Sequence, residues 1–137
     1  MLMAAMVLNC FAAVLFMLAA MKYGRGPVPL TYHREMLEKE GTHLTPFLEH
    51  MLTALYRAFG GAMLAIGLLI VALTLGPVRQ GALWAEIALL LAGAAFVAGS
   101  SVVPRRVEQA TGVQTPWRLA LVMGGLLLAG FILSQLA

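Results

Sequence analysis

The chain has 137 residues, of which 61% are hydrophobic and 11% charged, with a formal net charge of +3. A soluble domain carries roughly a quarter charged residues, so this chain has too few polar groups to cover a water-facing surface, and an aqueous enzyme or nucleic-acid-binding domain is excluded. The excess of cations reads as membrane orientation rather than affinity for nucleic acid.

The first apolar stretch covers residues 1–21. No Lys or Arg precedes Lys22, and the run is longer than a signal-peptide core, so a retained first span is expected. Cys10, the single cysteine, lies inside it. One thiol builds no disulfide, no CxxC pair and no cysteine zinc site, which excludes thiol redox chemistry.

Residues 22–57 are the polar part of the chain. "TYHREMLEKEG" predicts a short amphipathic helix from Thr31 to Gly41, with Arg34–Glu38 and Glu35–Lys39 spaced to pair. Its narrow edge of Tyr32, Met36 and Leu37 is expected to rest on the membrane or on the segment that follows. That segment opens with Thr45-Pro46, a capping hydroxyl before a proline at the first helical position. From Pro46 to about Leu75 it predicts one helix of about 45 Å, longer than a hydrocarbon core of roughly 30 Å. Its wet end, carrying Glu49, His50 and Arg57, should protrude as an amphipathic stalk.

Three more stretches are long enough to span: residues 58–78, 82–103 and 117–137. In lipid each must be helical, because only a helix satisfies its own backbone. Pro77 and Pro104 are expected to end the second and third spans, and Thr115-Pro116 to start the fourth. The expectation is an all-α integral membrane four-helix bundle, one domain over 1–137, with a cytoplasmic loop and stalk at 22–57 and a second cytoplasmic loop at 104–116. Lys22, Arg25, Arg34, Lys39, Arg57, Arg105, Arg106 and Arg118 fall at these two connections, and only Arg79 lies opposite. That bias predicts both connections in the cytoplasm and both termini outside, as in a bacterial inner membrane.

Candidate chemistry gathers at the cytoplasmic rim. Arg57, Arg105, Arg106 and Arg118, with Tyr56, Trp117 and His50, are the candidates for a lipid or quinone head group; the alternative is that these arginines are snorkelling topology anchors. His43, His50 and Glu40 are the weak candidates for a metal, since "EGTH" has a Glu-x-x-His spacing but Gly41 interrupts it. No histidine lies inside a span, which argues against heme. Glu86, the only acid in an apolar run, is the candidate proton or cation site; the alternative places it at the outer interface near Arg79. Gly60, Gly61, Gly67, Gly93, Gly99, Gly124, Gly125 and Gly130 are expected to pack helices. No catalytic residue is assigned: the chain contains no aspartate and no nucleotide or nucleophile motif.

"LYRAFGGAMLAIGLL", Leu55–Leu69, has an arginine entering a span followed by a glycine pair, and resembles small bacterial four-span proteins of the DoxX-like and DUF4345 type. The resemblance implies a fold class and no reaction. A non-catalytic accessory, assembly or stabilising subunit, or a homo-oligomer, is the expected role. Membrane lipids and other membrane subunits or further copies of the chain are the expected partners, and no cofactor beyond a bound lipid or quinone is expected. A lipid- or quinone-binding protein or enzyme at the rim is the first alternative, and a small proton-coupled transporter the second.

Overall fold

The computed structural model describes residues 1–136, and it is all-helical. Five α-helices follow one another: α1 (Leu2–Arg25), α2 (Thr31–Lys39), α3 (Pro46–Leu75), α4 (Leu83–Thr111) and α5 (Trp117–Gln135), with a single 3-10 turn at Val78–Gln80. All but α2 are long and apolar enough to cross a bilayer, the composition of a multi-pass membrane protein.

The bundle is ordered α3–α1–α5–α4. Helix α1 packs on α3 along one flank and on α5 along the other, while α4 packs on α5. Small residues set this order by letting backbones approach. A Cβ added to Gly60 would lie 2.8 Å from the backbone nitrogen of Gly24, and one added to Gly67 would lie 3.2 Å from the carbonyl of Ala13. At Gly93, Gly124 and Gly130 the space is taken instead by the side chains of Leu127, Val97 and Asn9. Three of the predicted packing glycines do not: Gly61, Gly99 and Gly125 have open space where a Cβ would stand. Beside two of them Gly60 and Gly124 hold the seams instead, because a helix presents only one side to each partner.

Helix α3 starts as expected, with the Leu48 N–H donating to Thr45 Oγ1 at 3.2 Å. The α4–α5 connection differs from the expectation. Pro104 does not end the third long helix; α4 continues to Thr111 and stops at Gly112, whose φ of 68° is left-handed. Residues 104–111 are therefore helix rather than loop. Proline lacks an N–H, so the Ser100 carbonyl loses its ordinary helical donor while the helix continues. Thr115 does not cap α5 either: its hydroxyl donates to the Pro104 carbonyl at 3.0 Å and to Glu108 Oε2 at 3.2 Å. It closes the corner between the helices.

Helices α3 and α4 touch each other little, although one short turn joins them. Val78 in that turn is fully buried and pins the pair there. Toward the opposite, basic end, which carries most of the cations, the two helices flank a gap.

Candidate functional site: a roofed cavity at the basic end

All three tyrosines of the chain converge on α2 with its histidine. Tyr23 comes from the last turns of α1, Tyr56 from α3, and Tyr32 and His33 from α2. The Tyr23 and Tyr32 hydroxyls share a 2.8 Å hydrogen bond, and the Tyr56 hydroxyl bonds His33 Nδ1. The Tyr23 ring stands edge-on to Tyr56 at 5.7 Å and to Phe59 at 4.8 Å, and His33 stacks on Tyr56. Leu30, buried just before α2, fixes where the helix begins. At its other end Lys39 Nζ reaches the Thr111 carbonyl at 3.4 Å, at the end of α4. So α2 bridges from the α1–α3 pair to α4, resting on the stalk through its aromatic residues.

Under this bridge lies a cavity of about 640 Å³. Phe59 and Met63 of α3 form one wall, and Phe96, Gly99 and Val103 of α4 the other. Ala19, Ala120 and Met123 of α1 and α5 form the back, while Tyr32, His33 and Met36 form the roof. Phe96 crosses the gap to Phe16, ring centroids 4.6 Å apart, and closes the inner end. The lining is apolar apart from the Tyr–His cluster, Ser100 and Thr115.

Burial sets the charge state of the roof. Loss of water pushes the Tyr32 phenol far above its ordinary range, reinforced by its bond to Tyr23. Burial lowers the His33 imidazole from its usual value. Both groups are uncharged at neutral pH, so the roof offers hydrogen bonds without a fixed charge. The bond to Tyr56 engages Nδ1 and leaves the Nε2 edge of neutral His33 to donate or accept, according to the tautomer.

Beside the cavity stands a corner built on Glu108. It accepts from the Thr115 N–H at 2.9 Å, from Trp117 Nε1 at 3.1 Å and from Arg118 Nη2 at 2.9 Å. Arg118 and Arg105 also lie over the Trp117 ring, at 4.7 and 5.3 Å. The structure thus brings Arg105, Arg118 and Trp117 together and puts Tyr56 in the aromatic cluster. Arg57 and Arg106 are exposed, and no hydrogen bond or ion pair links them to this corner among the described residues. His50 turns back to its own helix, Nδ1 to the Pro46 carbonyl at 2.9 Å. His43, His50 and Glu40 do not converge, and among the described residues no three His, Cys or Glu side chains form a metal-holding group.

Glu86 forms no ion pair with Arg79 among the described residues. It is 7% exposed and accepts from Ser134 Oγ at 2.8 Å and from Gln135 Nε2. Sequence alone places Tyr32 only on the apolar edge of α2 and assigns Tyr23, His33 and Glu108 no part in this site. The available signal for the first three was that every tyrosine flanks the same bundle end. For Glu108 it was a lone acid between paired arginines and a helix-ending glycine.

No protein-family model, curated protein or solved structure matches the chain.

Proposed function

We propose that this protein binds one amphiphile, a lipid or a quinone, in the cavity between α3 and α4, with its tail against the apolar walls and its polar head at the Tyr–His roof. The observation that carries this reading is the cavity itself: about 640 Å³, apolar, with a few convergent hydrogen-bonding groups at one end. Sites for small molecules run to roughly 300–1,000 Å³ and share this pattern. Ser100 adds a polar residue to the wall. Arg105 and Arg118 stand on the water side, where they suit a lipid phosphate. The charge bias supports an inner-membrane protein with this end in the cytoplasm and both termini outside.

A second reading, an accessory or assembly subunit, is supported by the stalk. Phe47, Met51 and Leu55 are exposed at four-residue spacing, at 74%, 46% and 59%.

Native mass spectrometry of the protein in mild detergent tests both readings, with Gly99→Leu as the paired variant. Gly99 lines the cavity and has open space at its Cβ position, so leucine fills the site without disturbing a seam. The wild type is expected to retain one lipid or quinone and the variant to lose it, while its folding stability stays equal or rises by up to about 1 kcal/mol from better helix propensity. Equal retention by both proteins overturns the binding reading. Extra subunit mass with no small molecule shifts the conclusion to the accessory role.

A further inference from the structure

At the other end of the bundle α1, α4 and α5 enclose a small pocket that the amphiphile site does not use, its polar side formed by Asn9, Glu86 and Ser134 and the rest by Leu89, Leu127, Gly130 and Phe131. Glu86 of α4 is 7% exposed and Asn9 of α1 is 5% exposed, both within apolar segments. Asn9 Oδ1 has no hydrogen-bond partner. Both residues line one small cavity with Ser134 and Gly130 of α5, about 10 Å³ in volume. Gly130 makes the arrangement fit, because a side chain there would strike the Asn9 amide.

A buried carboxylate calls for a compensating charge, and a buried carbonyl oxygen for a donor or a cation. No cationic side chain serves Glu86: the ion pairs among the described residues are Lys39–Glu35 and Arg118–Glu108. The donors that do reach it, Ser134 Oγ and Gln135 Nε2, are neutral. We propose that Glu86, Asn9 and Ser134 bind a single small monovalent cation of the sodium class.

Three points set that class. The donor atoms are all oxygen, which suits hard cations and excludes the soft transition metals. One carboxylate balances one positive charge, whereas a calcium ion takes six to eight oxygens, commonly several of them carboxylate. The cavity has room for about one water-sized occupant, the size of a desolvated sodium ion. Gln135 holds the Glu86 carboxylate from outside the pocket and acts as a positioning residue.

The test is equilibrium binding of radioactive sodium to the purified full-length protein in a choline buffer, with thermal melting as the control for folding. The wild type is expected to bind one sodium per chain and to melt higher in sodium than in choline. Glu86→Gln, which keeps the side-chain shape, is expected to lose both effects. Gln135→Ala, which leaves the three ligands in place, is expected to weaken binding about 10–100-fold, as outer partners of metal ligands do. Absence of stoichiometric sodium on the wild type, as for a pocket that holds only water, overturns the proposal. So does full sodium affinity in Glu86→Gln. Retention of the amphiphile is read in the same samples and is expected to be unchanged, so failure at one end is distinguishable from failure at the other.

Discussion

The two ends of the bundle are built from the same four long helices, yet one is closed and the other open. At the end where α1 starts and α5 stops, Ala5 and Ala85 are fully buried, and the cavity beside Glu86 is about 10 Å³. At the basic end the helices enclose about 640 Å³. The difference follows from connectivity. The short turn with Val78 holds α3 and α4 together at the closed end. At the basic end each of these helices turns to a different partner, so α2 has to bridge the gap. Polar groups follow the same division. At the closed end they are buried within the long apolar helices: Glu86 accepts from Ser134 and Gln135, and Asn9 Oδ1 has no partner. At the open end they are hydroxyls and an imidazole that face a cavity.

Glycine substitutions are the strongest way to break this comparison. Gly130→Leu drives a side chain into Asn9 and toward the Ala5 carbonyl, 3.3 Å from where its Cβ would stand. It is expected to destabilise the bundle by about 1–3 kcal/mol through overpacking. Thermal unfolding in detergent measures it beside Gly99→Leu, the same change at the open end, which is expected to cost no stability. Equal losses from the two would show that the basic end is as tightly packed as the other.

A second, smaller effect concerns the roof. His33 titrates below its ordinary value in the folded protein because burial disfavours its charge. Below about pH 6.5 the released imidazole takes up a proton that the docked one resists, so the docking of α2 is fully present above that pH and weakens as the pH falls. Limited proteolysis of residues 26–45 is expected to accelerate between about pH 7 and 5, and His33→Phe is expected to remove most of that dependence. An unchanged pH profile in His33→Phe would assign the dependence to another group.

The smallest effect is expected on the outer side of α2. Glu35 and Lys39 pair at 3.5 Å with both side chains about half exposed. Glu35→Gln is expected to change stability by no more than about 0.5 kcal/mol, less at high salt. A larger loss would mean that α2 is held by its charges rather than by Tyr23, Tyr32, His33 and Tyr56. Arg34 and Glu38, spaced to pair in the same way, form no ion pair among the described residues. Spacing on a wet helix permits a pair without requiring one.

The sequence by itself determined the four long helices, the Thr45 cap and the gathering of Arg105, Arg118 and Trp117 at one end. Each of these depends on chain-local physics: the length of an apolar run against bilayer thickness, the chemistry of a cap, and cations kept out of hydrocarbon. Only the tertiary structure decided the order α3–α1–α5–α4, the choice of Gly60 over Gly61 and Gly124 over Gly125 as contacts, and the passage of α4 through Pro104. It also decided that Glu86 accepts from Ser134 and Gln135 and shares a pocket with Asn9, and that a cavity lies under Tyr23, Tyr32 and His33. The reason is that lipid and protein interior are both apolar. In water, the hydrophobic stripe of a helix tells which side is buried; in a membrane, that stripe surrounds the helix, and the neighbours are chosen by shape and by the few polar groups.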